Sequence, residues 1–479
     1  MPPGPLVQKL INLIGERNVL WDEYELRLYE YDGSVDKGLP QAVVLPESAE
    51  QVAAVVRACH QAGVPFTARG GGTGLSGGAL PVAGGVLIAM VKMNRILEVD
   101  LANLRATVEP GLVNLQLSQA IAGHGLYFVP DPSSQKACTI GGNVGENAGG
   151  PHTLLYGVTT NHVLGLEVVT PQGEIVRFGG KALDLPGYDL TGIFVGSEGT
   201  LGIATKAIVR IVPLPEDVKT LLAIFESVDD ASATVSEVIG RGIVPAAIEM
   251  MDKLALQAVE AATHAGYPED AAAVLLVEVD GLKEGLEEQA AAIEAIAQAH
   301  RARSVRVAQT ATERDLLWAG RKNAFGAMGR ISPEYYVVDG VVPRTKLPGV
   351  LAAIGEVGDR HGLRIANVFH AGDGNLHPLI LFDGERPGEL ERVREAGAEL
   401  MRICIRAGGV LSGEHGIGVE KKELMSELFT GDDLAAMMKL KDAFDPDGLC
   451  NPGKVFPTPG QCVEIGRQPT SRMMGAGWL

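Results

Sequence analysis

Two of the ten histidines lie inside one glycine loop, His370-Ala371-Gly372-Asp373-Gly374-Asn375-Leu376-His377. A third follows in Ser412-Gly413-Glu414-His415-Gly416-Ile417-Gly418. Two imidazoles and a carboxylate form a ligand set for a divalent Zn, Mn or Fe ion, and three ligands leave room for a substrate. A lone histidine is more often structural, but the second glycine frame, with its Glu-His pair, favours a shared site. We therefore assign His370, His377 and Glu414 to a metal. His415 is left as a base, because an imidazole near neutrality can take the proton of a hydroxyl that a cation has acidified. Neighbours in a regular strand point oppositely, so Glu414 and His415 share one site only if the glycines bend the chain.

Further upstream, three glycine clusters share the first half of the chain. The first opens after a strand–helix–strand pattern. Ala42-Val43-Val44-Leu45 is apolar, Ser48-Ala49-Glu50-Gln51 has the form of a capping box, a helix runs through His60, and Gly63 and Pro65 stop it. Val64 to Ala68 then leads into Arg69-Gly70-Gly71-Gly72-Thr73-Gly74-Leu75-Ser76-Gly77. This stretch contains G-x-G-x-x-G, but the dinucleotide fingerprint needs a helix to start at its glycines. Gly78-Ala79-Leu80-Pro81 cannot supply one. The second cluster runs from Pro130-Asp131-Pro132-Ser133 into Thr139-Ile140-Gly141-Gly142-Asn143-Val144-Gly145, and the third is Gly196 to Gly202. Glycine turns form anion-binding nests and let a backbone approach a pyrophosphate. Any single cluster could mark tight turns alone, whereas three together point to a large phosphate-bearing cofactor.

The texture changes after Pro213-Leu214-Pro215. Apolar strands at Leu221 to Phe225 and Val274 to Val279 now alternate with Ala- and Glu-rich helices such as Leu282 to His300. This predicts an α+β chain: a first domain over 1–214 with its core from about 42, a second over 215–425 on an antiparallel sheet flanked by helices, and a segment over 426–479 returning to the first. The 479 residues carry a formal charge of −18, which repels phosphate backbones and argues against nucleic acid as a partner. No run reaches the about 18 apolar residues of a membrane span, and residues 1–20 carry no secretory signal pattern. The expectation is a cytoplasmic chain, with any contact to an inner membrane made through partner subunits. Cys59, Cys138, Cys404, Cys450 and Cys462 form no Cys-x-x-Cys pair, so an iron–sulfur centre would sit on another chain.

Together these motifs resemble the FAD-linked oxidases of the vanillyl-alcohol oxidase type, from about residue 20 to Phe456. That resemblance implies a PCMH-type FAD-binding domain of two α+β subdomains and a substrate-binding cap. Relatives with covalent flavin carry His where this chain has Thr73, so the resemblance implies non-covalent FAD. By the same likeness, Arg69, Gly70, Gly71, Gly72, Thr73, Gly74, Leu75 and Ser76 contact the cofactor. So do Pro130, Asp131 and Ser133, then Thr139, Gly141, Gly142, Asn143 and Gly145, then Gly199 and Ile203. Asn451, in Asn451-Pro452-Gly453-Lys454, is placed near it.

The histidine segments resemble the D-2-hydroxyacid dehydrogenase branch, in which the substrate hydroxyl loses a proton and the α-carbon passes hydride to flavin N5. Arg321 sits where the branch carries its carboxylate-binding arginine, and Arg344 is a second candidate. Relatives that oxidise 2-hydroxyglutarate hold the distal carboxylate with a Thr and a Lys; this chain has Phe325 and Val337 there. A buried second carboxylate would be left unpaired, which favours glycolate or D-lactate. Tyr335 to Arg344 is most similar to the flavoprotein subunit of bacterial glycolate oxidases, which works with a second flavoprotein subunit and an iron–sulfur subunit. The alternatives are a self-sufficient D-lactate dehydrogenase, a non-redox enzyme on the same flavin scaffold, and a metallohydrolase whose glycines are only turns.

Overall fold

The computed structural model describes residues 3–182 and 186–458, and Cys462 and the end of the 426–479 segment lie outside them. Three sheets of four or more strands organise the described residues. In the first, the strand Val86–Ala89 pairs in parallel with both Ala42–Val44 and Phe66–Arg69. The helix Ala49–Ala62 makes the crossover and buries Val52, Val55, Val56 and Cys59 against that sheet. Ser48 caps it by accepting from Gln51 N, and it ends on Gly63 at a φ of 63°, a left-handed conformation that only glycine adopts without strain. The expected capping box is half formed: the Gln51 side chain accepts from Glu47 N, one residue earlier than the cap.

The second sheet has five antiparallel strands, in the order Ile96–Asp100, Arg105–Val108, Ile203–Arg210, Val163–Val169, Ile175–Gly179. No helix follows Gly72, and residues 70–83 form an irregular loop. The second glycine cluster differs from the turn that its composition suggests. Residues Ile140–Glu146 form a helix, capped by the Thr139 hydroxyl and closed by Asn147 at a φ of 56°. Its glycines leave room for a close approach: a Cβ on Gly141 would stand 2.6 Å from Pro110 Cβ.

The third sheet is antiparallel throughout and is built around Asp217–Phe225, Ala273–Gly281, Ala247–Asp252 and Arg364–His370. Strand alternation sends Leu221, Ala223 and Phe225 to one core and Leu222 to the other. The first core is covered by helices that include Val228–Gly240 and Leu286–Ala299, and the second by Lys253–Thr263 and Ala311–Lys322. The chain comes back at its end: Phe66 N donates to Leu449 O at 2.9 Å, and Asn451 N donates to Phe66 O at 2.8 Å.

A charged cluster joins the glycine-rich part to the third sheet. His152 lies between Asp131, at 3.0 Å from its Nδ1, and Glu278, at 3.3 Å from its Nε2. Lys322 reaches the same Asp131 at 3.0 Å, and Trp318 Nε1 donates to Glu278 at 2.5 Å. Burial alone would favour neutral imidazole, but the two carboxylates reverse that and raise the His152 pKa to about 10. A folded pKa above the unfolded value of about 6.5 contributes stability that is complete below that pH and lost as pH rises through about 10. His152→Gln should therefore lower the melting temperature most near pH 6, with the gap to wild type closing towards pH 10. Thermal melts of both proteins across that range check it.

Candidate functional site

The three glycine clusters meet at a cleft open to solvent. Arg69 and Gly70 at the end of Phe66–Arg69 form one wall. Gly141, Gly142, Gly145 and Glu146 form a second, with Glu198, Gly199, Gly202 and Ile203 opposite. Gly71 is seated so closely that a Cβ there would stand 2.5 Å from Ala137 O. Of the lining residues, Arg69 and Glu146 each have a buried atom without a hydrogen-bond partner among the described residues, Nη1 and Oε2, and in the first and third clusters Ser76 Oγ and Ser197 Oγ are likewise unpartnered. Close-seated glycines and idle polar atoms fit a long polar ligand with many acceptors.

Other residues assigned to the cofactor stand differently. Ser76 O accepts from Val419 N, which packs the first glycine loop against the Glu-His loop. Leu75 packs on the core of the third sheet. Asp131 is engaged with His152 and Lys322, and Asn143 Nδ2 donates to Asn114 Oδ1 at 2.8 Å. Asn451 donates to Gly78 O at 2.9 Å and Glu198 O at 2.7 Å, tying two clusters together from behind.

The metal-type residues converge. Glu414 Oε1 lies 3.0 Å from His370 Nε2 and 3.1 Å from His377 Nε2. His370 and Glu414 also line a second cavity of about 190 Å³, shared with Asp373, Asn375 and Gly149. Behind His370, Glu249 Oε1 takes Nδ1 at 2.8 Å. With a hydrogen on Nδ1, the Nε2 lone pair faces a carboxylate oxygen, an arrangement that needs a cation or a proton between them. His370, His377 and Glu414 thus fit a divalent ion.

A second group, Asp339, His377 and His415, also gathers. Its carboxylate is already saturated by Ser412 Oγ and Asn375 Nδ2, each at 2.7 Å, His415 N at 3.0 Å, Gly413 N at 3.1 Å and Lys421 Nζ at 3.1 Å. Burial opposes its ionisation, yet Lys421 holds it well below the ordinary carboxylate range. Its lone pairs organise loops, leaving none for a metal.

His415 stacks on His377, with ring centroids 4.7 Å apart and planes within 9°. The loop departs from strand geometry, and with Gly416 at a φ of 87° Glu414 and His415 face one site. Burial pushes the His415 pKa down to about 4, against the pull of Asp339, so the ring is neutral at ordinary pH. Arg321 is buried, with Nη2 at 2.5 Å from Glu249 Oε2. Its helix comes this close because Gly320 lies against Tyr267, where a Cβ would stand 2.6 Å from the ring. Arg321 Nε has no partner among the described residues, and Arg344 Nη1 donates to Gly372 O at 3.2 Å. Phe325 sets its ring edge against His377 at 6.0 Å, and Val337 is buried nearby in the same core.

Sequence reasoning missed Glu249, which links His370 to Arg321. The signal was present as a carboxylate in the middle of the strand Ala247–Asp252, flanked on both sides by apolar residues. It also gave no role to Asp339, which lies within Tyr335 to Arg344.

Residues 40–179 match the family described as "FAD binding domain", and residues 214–455 match "FAD linked oxidases, C-terminal domain". The chain belongs to the FAD-linked oxidases. It is 50% identical over 449 residues to "Glycolate oxidase subunit GlcD" of Escherichia coli (strain K12), covering 94% of this chain and 90% of that protein. It is 36% identical over 436 residues to a D-lactate dehydrogenase of Archaeoglobus fulgidus, covering 89% and 95% respectively. The solved structure of p-cresol methylhydroxylase superposes with a TM-score of 0.80 at 19% identity, over 94% of this chain and 96% of that one, a likeness of fold. An FAD-linked oxidase is an oxidoreductase, which sets aside the metallohydrolase reading. FAD is thus the ligand whose needs the cleft meets. Gly71→Ala would force the loop off Ala137. The flavin-to-protein absorbance ratio after gel filtration should fall, while Gly355→Ala, whose added methyl meets nothing within 4 Å, leaves it unchanged.

Proposed function

We propose that this FAD-linked oxidase converts a short 2-hydroxy acid, glycolate before D-lactate, to the 2-oxo acid with non-covalent FAD. The observation that carries the reading is the single cluster formed by His370, His377, Glu414 and His415, with the apolar edge of Phe325 closing one side. The similarity to a glycolate oxidase subunit supports the substrate class.

His415 takes the hydroxyl proton; its ring is neutral, and burial makes it a weaker base than the near-neutral imidazole expected from the sequence. The stack on His377 and the backbone bond from His415 N to Asp339 fix the direction in which it accepts. Arg321, through its free Nε, and Arg344 hold the substrate carboxylate. Phe325 and Val337 offer nothing to a second carboxylate, so dicarboxylic hydroxy acids are disfavoured by desolvation. A divalent cation held by His370, His377 and Glu414 would supply Lewis acidity toward the hydroxyl oxygen. Bound FAD supplies the acceptor for the α-hydrogen and its electron pair.

Among the described residues no helix is long and apolar enough to cross a membrane. The relative's description as a subunit supports work beside further chains. We place a second flavoprotein and an iron–sulfur protein there as the electron outlet, with any membrane contact made through them. Self-sufficient D-lactate oxidation is the second reading, favoured by the match to a D-lactate dehydrogenase and by an apolar wall able to take a methyl group.

Under anaerobic conditions, glycolate should bleach the flavin band of the purified protein faster than D-lactate. The reverse order would make D-lactate the substrate, and a yellow protein bleached by neither acid would sink the hydroxy-acid reading. His415→Gln should slow bleaching by about 10²–10⁴-fold with FAD content intact. Glu249→Gln should weaken binding of zinc or manganese about 10–100-fold, read by metal titration in the absence of substrate.

A further inference from the structure

Two carboxyls take no part in this chemistry, and both lie at the seam between the flavin cleft and the Glu-His loop. Glu146 ends the helix Ile140–Glu146 and lines the cleft. Glu198 belongs to the third glycine cluster and holds a φ of 52°. Gly416 stands between them: a Cβ there would be 3.0 Å from Glu198 Oε1 and would collide with Glu146 Oε2.

Two carboxylates this close in a buried place do not both stay ionised. Their hydrogen bonds decide which one holds the proton. Glu198 accepts from Ile417 N and Gly418 N, each at 2.6 Å, and both amides stabilise its charge. Glu146 Oε2 is buried with no hydrogen-bond partner. The other charged groups facing it are Asp32, Lys421 and Lys454. Lys454 is committed to Leu80 O and Asn451 Oδ1, and Lys421 to Asp339 and Gly416 O. Burial, then Glu198, hold the Glu146 carboxyl well above the ordinary range. A buried O–H donor without an acceptor is costly, and the cleft wall beside it is largely glycine.

We propose that Glu146 is a further cofactor-binding residue, a neutral carboxyl that donates a hydrogen bond to bound FAD. FAD presents carbonyl, ring-nitrogen and phosphate acceptors, whereas an ionised Glu146 would repel them. The proposal rests on the family's cofactor and is independent of the substrate reading.

FAD titrated into the flavin-free full-length chain, followed by flavin fluorescence, tests it. Glu146→Leu should raise the Kd by on the order of tenfold or more, while Glu146→Gln, whose amide also donates, should stay within about threefold of wild type. Wild-type affinity in Glu146→Leu overturns the proposal. Equal weakening in both variants also overturns it, because the carboxyl would then be an ionised acceptor. If Glu146→Leu does not fold, the oxidised-minus-dithionite-reduced infrared spectrum decides. A protonated-carboxyl band that shifts in wild type and is missing in Glu146→Gln supports the proposal, and no such band overturns it. A wild type that takes up no FAD would overturn the cofactor assignment as well. One that binds FAD but is not bleached by glycolate leaves Glu146 to be judged on the affinities.

Discussion

The Asp339 carboxylate sits fully buried where its own segment meets the two glycine-rich segments that carry the histidines. An uncompensated charge there would be prohibitive. It is compensated by Lys421 and by donors from Asn375, Ser412, Gly413 and His415. Those donors belong to the two loops that carry the histidines and Glu414. Satisfying one carboxylate therefore fixes both loops, and only with both fixed do His370, His377 and Glu414 point at a common centre. The same demand explains an otherwise odd stretch of backbone. Gly413 and Gly416 make room for the turn, and side chains at either position would strike Asn375 or the Glu146 carboxyl.

A second carboxylate performs a different task. Glu249 spans from His370 to Arg321, so a residue of the histidine cluster and the candidate substrate-binding arginine share one rigid support on the strand Ala247–Asp252. Removing either partner would leave a buried charge alone. Lys322, next along the same helix, grips Asp131 on the flavin side. One helix turn thus ties the histidine cluster, through Glu249, to the second glycine cluster, through Asp131, by side chains one residue apart.

Much of this was legible from the residues. The absence of a helix after Gly72 followed from Gly78 to Pro81. The histidine and Glu-His frames marked the site because such side chains are rarely placed among glycines without purpose. The crossover helix from Ala49 was readable because Ser48 and Gly63 delimit it locally. The rest was hidden for a physical reason. Glu249 meets His370 from 121 residues away, and nothing local distinguishes a carboxylate that will be buried against a distant imidazole. Glycine turns are the expectation at the second cluster, and residues Ile140–Glu146 are a helix instead. Thr139 and tight packing on Pro110 override glycine's low helix propensity.

The strand Phe66–Arg69 is flanked on its outer side by Leu449, Cys450 and Asn451, contributed from the far end of the sequence. Asn451 then clasps Gly78 and Glu198, one from each of two glycine clusters. A chain cut short before Leu449 would keep every glycine of the cleft and still lose the edge partner of Phe66–Arg69 and the clasp between Gly78 and Glu198. The cleft is thus braced by residues that stand outside its lining.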